Sequence, residues 1–217
     1  MFRFREKANP NPSKTTHNAL IEVIWTIVPV LILLTLVHPS FSTLFKQDII
    51  KDADMTIKAT GYTWHWQYEY VGMEDQLEEI ISKPLTEAEA NAANVPYLMA
   101  TNAPLVVPSG TKVKVLVTSD RNLHAFSMDP FWVKVDAIPG RINETWFEVF
   151  EGKEGTYYGQ CAELCGINHY YMPIEIRVVT KDQFNSFVAS GGDVASLPAP
   201  KTLAQTQSAV QTAALTK

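Results

Sequence analysis

Four side chains suited to soft metals fall within twelve residues of this 217-residue chain: Cys161, Cys165, His169 and Met172, in the run GQCAELCGINHYYM. A fifth, His124, lies far upstream at the end of an apolar, strand-like run. A fold that uses all five must bring a strand bearing His124 against the 161–172 loop. Two thiolates, two imidazoles and a thioether favour copper over magnesium, calcium or structural zinc, for which methionine is an unusual ligand. Two plainer readings compete. A Cys161–Cys165 disulfide would close a very small loop, which gains little chain entropy and strains easily. Two free structural thiols are the other.

The residues allow one copper or two. His124, Cys165, His169 and Met172 would make a mononuclear blue site with a weak axial methionine, leaving Cys161 idle. Alternatively, both thiolates bridge two copper ions and one histidine terminates each. Met172 and a backbone carbonyl from the loop would then be weak outer ligands. An added electron is shared over the whole unit, which suits rapid electron transfer and leaves no open position for a substrate.

The rest of the chain divides into an anchor and a β domain. Residues 20–37 are apolar apart from Glu22 and Pro29. As a helix they span about 27 Å, close to the hydrocarbon thickness of a bilayer. Arg3, Arg5, Lys7 and Lys14 precede this stretch, so the positive-inside rule puts the N-terminus in the cytoplasm or matrix. A cleaved signal is the alternative, but no small-residue cleavage motif follows. Beyond it, 55–60, 62–70, 111–119, 143–150, 155–160 and 174–180 have strand composition, separated by Gly and Pro. Trp64, Trp66, Tyr68 and Tyr70 alternate onto one face and read as core. TEAEANAAN (86–94) predicts a short surface helix, and 182–189 a terminal one. The reading is an all-β sandwich or barrel carried on a transmembrane α-helix. From 191 the chain has little to bury and reads as a disordered tail.

The stretches NPNPSKTTHN, LIEVIWTIVPVLILL, GYTWHWQYEY, VDAIPGRINETWF and YYGQCAELCGINHYYMPIEI together resemble subunit II of the haem-copper cytochrome c oxidases over nearly the whole chain. The resemblance implies a cupredoxin-like Greek-key barrel holding a dinuclear copper centre (CuA). Its ligands would be His124, Cys161, Cys165, His169 and Met172, with the backbone carbonyl of Glu163. The Glu163 side chain would serve a magnesium site shared with subunit I. Segments would be 1–19 on the cytoplasmic or matrix side, 20–45 membrane helix, 46–190 external copper domain and 191–217 tail. The family has two membrane helices here, and this sequence begins in what corresponds to the loop between them. The membrane would be a bacterial cell membrane or the mitochondrial inner membrane, with copper on the periplasmic or intermembrane-space side.

The same resemblance implies a function. Electrons would come from cytochrome c, pass the copper pair, and reach haem in subunit I, where oxygen is reduced to water and protons are pumped. Subunits I and III and membrane lipid would be partners. Glu22 would lie at the mouth of a proton path, and Trp64 at the surface where electrons arrive. The family more often has WYW where this chain has WHW, so His65 is not assigned to metal. Charge fits a basic donor. Through residue 45 there are four Lys/Arg against two Asp/Glu, and beyond it fourteen against twenty-one. Such an acidic domain repels nucleic acid and can steer a basic cytochrome. Glu69, Glu74, Asp75 and Asp136 are the docking candidates. A mononuclear copper carrier and a copper-free quinol oxidase subunit are the rival readings.

Overall fold

The computed structural model describes residues 2–50 and 52–198, in two compact units that divide between Lys46 and Gln47. Helix α1 runs Ala19–Asp48 and dominates the first unit. No side chain along it is buried, and its most apolar window has a mean hydropathy of 2.6. An uncovered apolar helix of this length is stable in lipid, not in water. It outlasts the apolar run that marks it in the sequence, continuing through Pro39 to a polar end at Lys46 and Asp48.

The second unit is a sandwich of two five-stranded sheets. In chain order its elements are β1 (Met55–Tyr62), β2 (His65–Tyr70), β3 (Ile80–Ser82), α2 (Glu87–Ala93), β4 (Leu105–Pro108), β5 (Lys112–Ser119) and β6 (His124–Met128). They continue with β7 (Val133–Ala137), β8 (Asn143–Glu148), β9 (Gly155–Cys161), β10 (Pro173–Val179) and α3 (Lys181–Ala189). One sheet has the order β3-β2-β1-β5-β8 and the other β4-β10-β9-β6-β7. The β1–β5 and β4–β10 pairs are parallel and the other pairs antiparallel.

The alternation of Val113, Val115 and Val117 puts all three in the core, with Ile57, Trp66 and Tyr68 of the same sheet. Tyr70 ties the sheets together: its hydroxyl donates to the Val106 carbonyl (2.7 Å) and accepts from the Val106 N–H (3.1 Å). Both helices of this unit begin with reciprocal capping boxes, Thr86/Glu89 and Thr180/Gln183. Phe184 and Phe187 seat α3 on the core.

The tail expected from 191 onward is corrected over its first residues. Asp193 caps a short turn at Val194–Ser196 through the Ala195 N–H (2.8 Å), and Leu197 is buried. Val194 packs beside Leu197 against the core, so this segment is held down. Residues 199–217 of that expected tail lie outside the described residues.

One buried charge stands out. Glu175 on β10 accepts from the Thr101 N–H (2.7 Å) and Thr101 hydroxyl (3.4 Å), pinning the end of the 83–101 excursion to the second sheet. Burial raises its pKa, against the opposing pull of the Thr101 N–H and Arg177. A carboxyl whose folded pKa exceeds its unfolded value binds more protons when folded. Its contribution therefore favours folding at low pH and is lost as pH climbs from the unfolded pKa through the folded one. Glu175→Gln keeps an acceptor for Thr101 but removes that titration. Denaturant unfolding of the full chain in detergent should show a flatter fall in stability from pH 4.5 to 8 in the variant. Equal slopes would assign the charge no such role.

Candidate metal centre

Several strand ends meet at one edge of the sandwich. β1 delivers Gly61 and turns through Thr63–Trp64 into β2, β5 ends with Ser119 beside Gly61, β6 begins at His124, and β9 ends at Cys161. The loop between β9 and β10 then makes a closed excursion. At its base the Cys161 N–H donates to the Met172 carbonyl (2.9 Å), and next to it the Ala162 N–H donates to the Ala125 carbonyl (3.0 Å). These two bonds fix the loop against the strand that starts with His124.

The donor atoms cluster, with those of His124, Cys161 and Cys165 all within 4.8 Å of one another. His124 Nδ1 lies 3.7 Å from Cys161 Sγ, the two sulfurs are 3.8 Å apart, and Cys165 Sγ is 3.6 Å from His169 Nδ1. Cys161 Sγ also lies 3.3 Å from the Glu163 carbonyl oxygen. Met172 is buried on the core side, while His169 is half-buried near the surface. The cysteines are free thiols, far beyond the disulfide bond length of about 2.05 Å. Their separation is one that two metal–sulfur bonds of about 2.3 Å can bridge.

The electrostatics also fit a cation. Burial, with the charges of His169 and His65 adding to it, lowers the His124 pKa and keeps the ring neutral and able to ligate. Burial, with Cys161 alongside, pushes the Cys165 thiol up to about 12. Two adjacent buried thiolates are therefore costly until positive charge arrives between them, and a soft metal ion supplies it. His124 Nε2 has no hydrogen-bond partner among the described residues, so nothing but packing orients the far side of the ring.

The other sequence candidates scatter. Trp64 leaves the strand that carries Trp66, Tyr68 and Tyr70. It sits in the β1–β2 turn, partly buried, with its indole over Gly166 (φ +119°), where an added methyl would stand 3.4 Å from the ring. Glu69 is engaged with Lys58 across the hairpin (2.6 Å). Glu74 accepts from the Gly72 N–H (2.9 Å), which lowers its pKa, and lies with Asp75 past the far end of β2. Six residues of strand, about 20 Å, separate that end from the Trp64 turn. Of the four, Asp136 alone is near the donors, exposed on β7 next to Ala137, the register partner of His124. The four acids thus do not make one patch. Asp120, exposed and with its N–H on the Gly61 carbonyl (3.0 Å), is a further acid at this edge. Glu22 closes the start of α1: it accepts from the Asn18 N–H (3.0 Å) while Asn18 Oδ1 accepts from the Ile21 N–H (3.2 Å).

Leu164, Ile167 and Tyr170 stand out from the loop at 75%, 82% and 69% exposure. Apolar side chains so exposed around a buried polar cluster mark a surface made to be covered.

Comparison with known proteins bears on this geometry. The family described as "Cytochrome C oxidase subunit II, periplasmic domain" matches residues 55–179, and "Cytochrome C oxidase subunit II, transmembrane domain" matches 1–43. The chain belongs to the cytochrome c oxidase subunit II family. It is 42% identical over 195 residues to a probable cytochrome c oxidase subunit 2 of Rickettsia bellii, covering 90% of this chain and 71% of that relative. It is 43% identical over 189 residues to the Rickettsia felis counterpart, covering 87% of this chain but only 58% of that one. The crystal structure of the periplasmic domain of subunit II of cytochrome oxidase (CoxB) of Bradyrhizobium japonicum superposes with a TM-score of 0.58 at 41% identity. That match covers 66% of this chain and 96% of the Bradyrhizobium domain. Subunit II membership accounts for an apolar helix ahead of a β-sandwich, and His124, Cys161 and Cys165 at the sandwich edge could hold a metal ion.

Proposed function

We propose that this chain is the electron-input subunit of a cytochrome c oxidase, built around a dinuclear copper centre. The observation that carries the reading is the donor cluster, in which His124 Nδ1 lies 3.7 Å from Cys161 Sγ, the sulfurs 3.8 Å apart and Cys165 Sγ 3.6 Å from His169 Nδ1. One thiolate pair flanked by one imidazole at each end suits two copper ions better than one, because a mononuclear site would strand Cys161. Met172 and the Glu163 carbonyl would complete the set. Copper held there supplies one-electron chemistry with little change in bonding. The exposed Glu163 side chain is free for magnesium at the boundary with subunit I.

The chain's own residues define a route inward. The Trp64 indole faces Gly166, which is bonded to Cys165. Cytochrome c would dock over this edge, with Asp136 among the acids that steer it. The exposed Leu164, Ile167 and Tyr170 would be covered by partner subunits, I and III being the expected ones. α1 would anchor the domain on the periplasmic or intermembrane-space side of the membrane, with Glu22 near a proton path into subunit I. The extents 1–19, 20–45 and 46–190 serve as the working division into leading segment, anchor and copper domain.

Copper analysis with electron paramagnetic resonance of the metal-loaded full chain tests the reading. Two coppers per chain and hyperfine coupling of one electron to two equivalent nuclei are expected. One copper per chain, with coupling to a single nucleus, would select the blue-copper carrier instead. Trp64→Phe should leave that spectrum unchanged and slow electron uptake from cytochrome c at least tenfold in stopped-flow measurements, a loss of about 1.4 kcal/mol or more of transition-state stabilisation. Loss of the spectrum in this variant would make Trp64 a packing residue.

A further inference from the structure

The geometry points to Gly61 as the positioning residue for His124, an inference that rests on the copper reading above. Gly61 belongs to the first sheet and His124 to the second, so their contact crosses the sandwich. A β-carbon built on Gly61 would stand 3.0 Å from His124 Cδ2, 3.1 Å from Cγ and 3.3 Å from Cβ. The imidazole occupies the space a side chain at 61 would need. A glycine inside a strand marks such a close approach. The Gly61 backbone lies outside the left-handed region, so space, not conformational freedom, is what this position requires.

The strand is held in place from both sides. The Gly61 carbonyl accepts from the Ser119 hydroxyl and the Asp120 N–H, each at 3.0 Å. The Ser119 hydroxyl also contacts the Asn122 carbonyl, and Asn122 Nδ2 donates to the Thr63 hydroxyl (3.3 Å). The loop that delivers His124 is therefore laced to the strand its ring leans on. On another side the buried Trp66 meets the imidazole edge-on, with centroids 6.1 Å apart. With Nδ1 aimed at Cys161 and Nε2 unpartnered, the Gly61 backbone and Trp66 set the ring's angle in place of a hydrogen bond.

Alanine at 61 leaves the backbone free to fold but shifts the ring by a few tenths of an ångström. The test compares Gly61→Ala with Gly155→Ala, a strand glycine with nothing within 4 Å of an added β-carbon, both in the full chain. Gly61→Ala should unfold like wild type without metal, yet bind copper about tenfold more weakly and show an altered copper hyperfine pattern. Gly155→Ala should match wild type in both. Wild-type affinity and spectrum in Gly61→Ala overturn the proposal, as does an equal change in Gly155→Ala. If Gly61→Ala does not fold, Ser119→Ala takes its place: releasing the Gly61 carbonyl should alter the hyperfine pattern, and an unchanged pattern overturns the proposal. A wild-type chain that takes up no copper removes the underlying reading itself, which separates that failure from this one.

Discussion

Cys165→Ser is expected to lower the copper content to at most one ion per chain and to abolish electron uptake from cytochrome c. The serine hydroxyl is a hard donor that stays protonated at neutral pH, so it cannot replace a bridging thiolate. Cys165 lies 3.8 Å from Cys161 Sγ and 3.6 Å from His169 Nδ1, so its loss removes one of the two sulfurs and the donor next to His169. The rate should fall by more than about 100-fold, the upper end of what changes outside a metal's own ligands achieve. Metal analysis and stopped-flow reduction check both. Two coppers and near-normal rates in the variant would mean the thiolates do not bridge.

Trp66→Ala should be the most damaging core substitution near the site. Its side chain has no exposed surface and packs edge-on against Phe126, with centroids 5.4 Å apart, and against His124. Removing it leaves a cavity between the sheets directly behind the metal-facing histidine. A large-to-small change of this kind costs about 3–5 kcal/mol. That is a large share of the stability of an ordinary domain. Denaturant unfolding of the metal-free chain should show this loss, whereas Trp64→Phe should leave the same curve nearly unmoved. A loss under about 1 kcal/mol at Trp66 would mean the sheets collapse to fill the gap.

The contrast between these two tryptophans shows how far the sequence could be read. Period-two alternation places 64, 66, 68 and 70 on one face, and for the last three the structure agrees. The chain turns at Thr63–Trp64, so Trp64 escapes the pattern. Nothing between Thr60 and Trp66 signals a turn except Gly61, and that glycine serves packing against His124. Strands with one covered face, such as β5, were legible. β4 and β6 are buried at every residue, so they show no alternation, and His124 opens its strand where its apolar surroundings suggested it would close one. The metal loop was legible because its ligands are close in sequence. The docking acids were not, since only strand register shows that Glu74 and Asp75 lie at the far end of β2 from the Trp64 turn.

The parallel pairing of β1 with β5 has a consequence for assembly. Met55 pairs with Val113 and Gly61 with Ser119, so this ladder must close a loop of nearly sixty residues before β6 can present its histidine. Cys161, Cys165, His169 and Met172, by contrast, are synthesised together and can be near one another in a still-collapsing chain. Long-range ladders form slowly because the chain entropy is lost before the contacts repay it. An ion captured early would thus meet only four of its five side-chain donors, and firm retention would wait on long-range pairing.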